Sequence, residues 1–306
     1  MSTLALSVII CTKDREESLR ECLDSLFHQS RLPDDVIIVD DGNLDGEALG
    51  SLVRSRGVSY QYLRKQTPGL TASRNLGVEH ARGDIVLFLD DDVVLDRGYA
   101  AGIMEGFEQD PNGRIGGATG ALRIHYRRGV LPFLRFFGLD GRKPGTILPS
   151  GYGVPVRVGE LTQPRRAQWL SGCNMAYRRQ VFDRLRFDER LGAYGWGEDR
   201  DFSFRVSQEW TLIAVPDARL EHREVQSGRI DGRRVGYMET AYFARFYQEH
   251  MPKRPVNRLA FGWALVGILV KNLLLSTRRA DRRRMAARLR GNLDGLRAIM
   301  MRSSLR

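Results

Sequence analysis

Residues 85 to 93, IVLFLDDDV, carry an apolar run straight into three consecutive aspartates, Asp90, Asp91 and Asp92. Like charges at that spacing repel one another, while the apolar run asks for burial. A divalent cation reconciles the two, because hard ions such as Mg2+ or Mn2+ take oxygen ligands and often keep phosphates in their shell. The triple aspartate reads as a metal–diphosphate site; the plainer alternative is a solvated acidic turn after a buried strand. A second acidic cluster, Glu198, Asp199 and Asp201, follows the GWG of residues 195–197. A carboxylate behind those glycines could act as general base to a hydroxyl nucleophile, with the glycines letting substrate come close. Its alternative is a helix N-terminus, where acids complement the dipole in any case.

These residues need strands and loops to hold them. LSVIIC (6–11) is a β-branched run, and Arg15 to Gln29 places Leu19, Cys22, Leu23, Leu26 and Phe27 on one helical face. DDVIIVDDG (34–42) repeats the strand theme and ends in Asp40 and Asp41. A helix candidate through Glu47 to Arg56, a strand VSYQYL (58–63), a helix TASRNLGVEHARG with Thr71 as its candidate N-cap, and a strand DIVLFL follow. Strands alternating with helices in this way predict parallel pairing in a doubly wound α/β sheet. In such sheets ligands sit outside the carboxyl ends of the strands, where both acid-tipped strands point. Residues 110–168 are punctuated by Gly, Pro and Arg; they predict one more strand, a loop near 126–160 and part of an acceptor wall. WLSGCNMAYRRQVFDRL then predicts a strand and a helix, and TLIAVPDARLEH a final strand.

Of the 306 residues 42% are hydrophobic, enough for a sizeable core. Cys11, Cys22 and Cys173 lack CxxC spacing, which argues against a disulfide framework or a zinc site. MSTLALSVIICTKDRE lacks the layout of a secretory signal, so a cytoplasmic location is the expectation. The net charge of +11 is uneven: from Arg223 onward 19 Lys and Arg face 6 Asp and Glu, against 29 and 31 before it. In that basic tail LAFGWALVGILV (259–270) is uncharged. After it Met285, Leu289, Leu293, Leu296 and Met300 recur at helical spacing among arginines, the pattern of a basic amphipathic helix on an anionic membrane surface. The alternative is a helix packed on the protein. Stacking aromatics are scarce after Arg278, which argues against nucleic acid as a partner.

The order SVIICTKDR, IIVDDG, ASRNLG, IVLFLDDDV, SGCNMAYRR, GWGEDRDFSFRV resembles the family-2 glycosyltransferases, over roughly residues 6–222. The resemblance implies a GT-A fold: a doubly wound, mostly parallel sheet with flanking helices, here followed by a basic helical C-terminal tail. It divides the chain into a nucleotide-sugar-binding and catalytic domain (1–222) and a membrane-associated region (223–306). It implies inverting transfer of a sugar from a nucleoside-diphosphate-sugar, UDP or dTDP foremost, to a hydroxyl of a lipid-linked or cell-envelope glycan, with Mn2+ or Mg2+ as cofactor. By position, Thr12, Arg15, Asp40, Asp41 and Arg74 would hold the nucleotide. Asp90 and Asp92 match the DxD, with Asp90 and Asp91 on the nucleotide and Asp92 on the metal. Asp199 would be the base with Glu198 beside it, His222 a further metal ligand, and Trp196 an acceptor-side residue. Processive synthases carry QxxRW where this chain has QSGRI (226–230), which implies one sugar per encounter; the basic tail suggests peripheral association with the cytoplasmic face of the membrane. Cys11 and Lys13 stand in place of the Pro and Tyr that often flank the first-loop threonine. Two other readings compete: a nucleotidyltransferase, which would carry a Gly-rich, Lys-bearing phosphate loop absent between Cys11 and Ser18, and a non-catalytic nucleotide-sugar-binding or membrane scaffold keeping the fold.

Overall fold

The computed structural model describes residues 4–191, 195–223, 231–277 and 282–303. QSGRI lies outside the described residues. The chain divides into two units, the first Met1–Ile124 with Pro155–Gly228, the second His125–Val154 with Arg229–Arg306.

The first unit is built on a nine-stranded sheet. Its strands are β1 (Leu6–Thr12), β2 (Asp35–Asp40), β3 (Ser59–Arg64), β4 (Ile85–Asp90), β5 (Val93–Leu95), β6 (Ile115–Leu122), β7 (Arg165–Ala167), β8 (Asn174–Arg178) and β9 (Thr211–His222). They lie in the order β3-β2-β1-β4-β8-β6-β9-β5, with β7 on β9. The first four run parallel, as strands joined through helices must. β8 enters antiparallel between β4 and β6, and β6 runs parallel to β9. Strand succession reverses at β1, so the crevice at the carboxyl ends of β1, β2 and β4 is the expected ligand position.

Both sheet faces are covered, which is why β1, β2 and β4 are continuous apolar runs. Val8, Ile10, Val36, Ile38, Leu87 and Leu89 share one core with α1 (Glu16–Phe27), α2 (Gly46–Arg54) and α4 (Tyr99–Glu108). Ile9, Ile37, Val39, Val86 and Phe88 form the other with residues of α3 (Leu70–His80) and α6 (Glu198–Ser207). The five residues predicted for the buried face of α1 are the ones it buries. Thr71 does not cap α3; the cap position is Gly69 and Thr71 is buried in the first turn. The helix expected after SGCN is a single 3-10 turn, Arg179–Asp183.

The second unit holds α5 (Val130–Phe136), α7 (Gly232–His250), α8 (Pro255–Ser276) and α9 (Arg282–Ser303). Residues 125–154, most of the loop expected near 126–160, belong to this unit and carry α5. α7 and α9 approach through glycines: a Cβ on Gly236 would lie 1.9 Å from the Arg288 carbonyl oxygen, and one on Gly291 1.8 Å from that of Arg233. Backbone contact of this kind is open only to residues without a side chain. Beside it Glu239 is buried, accepting from Lys271 and Asn272 of α8 and from Arg288 and Asn292 of α9. Those cations hold its carboxyl far below the usual range, overcoming burial. α9 thus packs by Met285, Gly291, Asn292 and Gly295, while Leu293 and Met300 of the predicted apolar stripe stay exposed.

Candidate active site

Strand register brings the first acids together. β1 pairs Thr12 with Asp40 on one side and Cys11 with Asp90 on the other. The hairpin-like return of β9 against β5 sets His222 opposite Val93, and the Arg223 amide donates to the Asp92 carbonyl. His222 Nε2 then lies 2.9 Å from Asp92 Oδ1 and 3.8 Å from Asp90 Oδ2. Burial disfavours a charged imidazole, but the hydrogen bond to Asp92, with smaller contributions from Cys173 and Asp90, pushes His222 up to about 12. One ligand atom each from Asp90, Asp92 and His222 falls within 4.8 Å of the others, a spacing that suits one cation. Two carboxylates and an imidazole are a donor set for Mn2+ or Mg2+, so the residues fit the metal that the sequence implied.

Asp91 turns the other way. Thr12 Oγ1 donates to it at 2.7 Å and Arg15 Nη1 at 2.9 Å. Burial pushes its carboxyl up to about 6, against the pull of Arg15 and Thr12. Asp90, by contrast, is the most open of the three, its side chain 33% exposed against 4% and 2% for Asp91 and Asp92.

The second acid cluster joins the first through one buried guanidinium. Arg74 donates to Glu198 Oε1 at 2.5 Å and to the Gly172 carbonyl at 3.1 Å, and lies 3.5 Å from Asp90 Oδ1. Burial works against its charge, but Glu198 and Asp90 hold it protonated. The Glu198 carboxyl is pushed up to about 8 by burial, which outweighs Arg74. Asp199 is half-buried in the first turn of α6. Its Oδ2 accepts from Trp169 Nε1 at 3.1 Å and the Gly172 amide at 2.9 Å, and its Oδ1 from the Arg200 amide at 2.7 Å. The turn before α6 needs its glycines, since Gly197 has φ +78°. Trp196 sits half-buried in that turn.

On the nucleotide side, Asp40 is fully buried and shapes the loop after β2: Gly42 and Leu44 amides and the Tyr62 hydroxyl occupy its oxygens at 2.7, 2.8 and 2.7 Å. Asp41 accepts from the Gly69 amide at 2.7 Å and Ser73 at 3.0 Å, with Lys65 Nζ at 3.2 Å. Sequence reading did not single out Lys65, Trp169 or Gly172. The last leaves little room for a side chain, as its Cβ would sit 3.1 Å from Glu198 Oε1 and 3.3 Å from Arg74 Nη2.

The family model for "Glycosyl transferase family 2" matches residues 7–186, and the chain belongs to that family of glycosyltransferases. It is similar to the uncharacterized glycosyltransferase YwdF of Bacillus subtilis, 24% identical over 81% of this chain and 84% of that protein. It is 27% identical to the O-antigen biosynthesis protein RfbC of Myxococcus xanthus over 75% of this chain but 18% of that one. In fold it resembles the mannosyltransferase PcManGT from Pyrobaculum calidifontis in complex with GDP-Man and Mn2+, with TM-score 0.57 and 15% identity over 97% of this chain and 88% of that one. It also resembles GalNAc-T7 with UDP, GalNAc and Mn2+, with TM-score 0.59 and 17% identity over 87% of this chain and 55% of that one. The GT-A architecture predicted from the motifs is the fold observed.

Proposed function

We propose that the protein moves a sugar from a nucleoside-diphosphate-sugar, UDP or dTDP, to a hydroxyl of a lipid-linked or cell-envelope glycan, with inversion and one sugar per encounter. The observation that carries this is the buried guanidinium of Arg74, which links Asp90 of the Asp90–Asp92–His222 triad to Glu198, the chain neighbour of Asp199. A cation site for a leaving diphosphate and a carboxylate for an attacking hydroxyl are thereby held together.

Asp90, Asp92 and His222 would hold Mn2+ or Mg2+, which supplies Lewis-acid stabilisation of the charge that develops on a departing diphosphate. Arg15 and Asp41 face the nucleotide, with Thr12, Asp40, Arg74 and Asp91 fixing the loops that carry them. Asp199 accepts the acceptor's proton as its oxygen attacks the anomeric carbon from the face opposite the leaving group. The Trp169 indole and Gly172 amide aim that carboxylate. Trp196 offers a flat apolar surface on the acceptor side. The envelope role draws on the relative named for O-antigen biosynthesis, and association with the cytoplasmic face of the membrane on the basic C-terminal region.

Donor turnover with water as acceptor tests this without knowing the glycan. A panel of UDP- and dTDP-sugars with Mn2+ should yield one consumed donor. Asp199→Asn should keep nucleotide binding and lose turnover by about 10³-fold. A wild-type chain that neither binds nor consumes any of them, with either metal, contradicts the proposal.

A further inference from the structure

Charge and exposed apolar surface both collect in the second unit. It carries 23 Lys and Arg against 6 Asp and Glu, where the first unit has 25 against 31. Of the twelve large hydrophobic side chains exposed among the described residues, all but Leu32 belong to the second unit. Scattered exposed apolar residues are ordinary; a concentration on one element asks for an apolar neighbour.

That element is α8. Leu259, Trp263, Val266 and Leu273 follow one another at spacings of three, four and seven, a single stripe, and Leu259 is 75% exposed. The buried residues Asn257, Ala264, Gly267, Ile268 and Asn272 form a different face, against Phe137 of α5's C-terminal end and the Glu239 network. α8 is thus apolar towards the protein and apolar away from it. The stripe continues onto α5: Phe136, 67% exposed, meets Trp263 edge to face at 5.5 Å, and the indole N–H is spent on the Phe136 carbonyl at 2.8 Å.

By length and composition α8 could cross a bilayer, but its polar ties keep it on the surface. Asn257 near its start donates to the Pro149 carbonyl, and Lys271 and Asn272 near its end bind Glu239. A spanning α8 would have to carry that ionic cluster, with α7 and its Arg233, Arg234 and Arg245, to bilayer depth, where charged and unsatisfied polar groups are costly. Lying in the interface it needs no such rearrangement. Exposed Lys253, Arg254 and Arg258 at its start and Arg282, Arg283 and Arg284 at the start of α9 suit phosphate headgroups.

We infer that the α8 stripe, extended by Phe136, is a monotopic face that inserts edge-on into an anionic lipid leaflet, with α9 held back as packing for α7. This rests on the membrane association proposed above and names the surface that makes it. The test is co-sedimentation of the full chain with phosphatidylcholine vesicles, with and without phosphatidylglycerol, for wild type and Leu259→Glu/Val266→Glu. Both residues are exposed, and unchanged circular dichroism and nucleotide binding establish that the variant is folded. The expected result is binding that requires phosphatidylglycerol, falls about tenfold or more in the double variant, and is lost on alkaline extraction. Brominated phosphatidylcholine should quench a fluorescence component that Trp263→Phe removes. Equal binding by the double variant overturns the α8 face while sparing membrane association through arginines. No binding by wild type overturns both. Retention after alkaline extraction means that α8 spans, and a dimer broken by the double variant without vesicle binding means that the stripe meets a second copy; either overturns the inference.

Discussion

Both units bury carboxylates, and they treat them in opposite ways. In the second unit one carboxylate, Glu239, meets two cations and two amides, so its charge is answered inside the protein. At the carboxyl ends of the strands in the first unit four carboxylates, Asp90, Asp91, Asp92 and Glu198, share Arg15, Arg74 and His222 in the described contacts, and a fifth, Asp199, is held by neutral donors. Burying charge is costly unless it is paired. A carboxylate met by cations inside the helical unit serves structure, and carboxylates gathered with an imidazole at a strand end make a donor set that could hold a cation.

The contrast can be broken from either side. The largest effect belongs to Asp92→Ala, which should lower donor turnover by on the order of 10³-fold by removing a ligand from the triad. Vesicle binding and the melting of the helical unit should not change; a matching loss of stability would mean that Asp92 is as structural as Glu239. Next, Glu239→Gln should destabilise the helical unit by about 3 kcal/mol, since Lys271 and Arg288 lose their anion. Because the folded state holds Glu239 below its ordinary 4.5, its contribution is present above that pH and drains away as pH falls below it. Thermal melting from neutral to acid pH should show this slope in wild type and a flatter one in the variant. Gly236→Ala should cost about 2 kcal/mol, because its Cβ meets a backbone carbonyl that cannot rotate away; unchanged denaturant unfolding would refute the close crossing. The smallest effect is Trp169→Phe. Removing one donor from Asp199 should cost about 1 kcal/mol, some several-fold in turnover, with nucleotide binding intact.

The parts of this design legible in sequence are those whose pattern is local. β1, β2 and β4 announced themselves because burial on both faces writes a continuous apolar run. Asp90–Asp92 stood out because three like charges after such a run need an explanation. His222 was reached by family resemblance, and the β5–β9 register supplies the physical reason it arrives there. Trp169, Gly172 and Lys65 were missed because each acquires a role only from a partner distant in the chain: Asp199, Glu198 and Asp41. In the tail the three-and-four spacing of Met285 to Met300 suggested a basic amphipathic helix on a membrane surface, whereas α9 packs against α7 through glycines, whose GxxxG spacing at Gly291 and Gly295 matches that at Gly232 and Gly236. Residues 125–154 gave no warning that they join the C-terminal helices, since that grouping is set by packing across most of the chain's length.

Calorimetric titration of UDP and dTDP into wild type and Asp92→Ala, with and without Mn2+, is the most direct test of the strand-end site. The expected result is metal-dependent binding of one nucleotide to wild type, lost in the variant, while both proteins keep the same vesicle affinity. Binding that ignores Mn2+ and survives Asp92→Ala would contradict it, and would return the three aspartates of IVLFLDDDV to the status of a solvated turn.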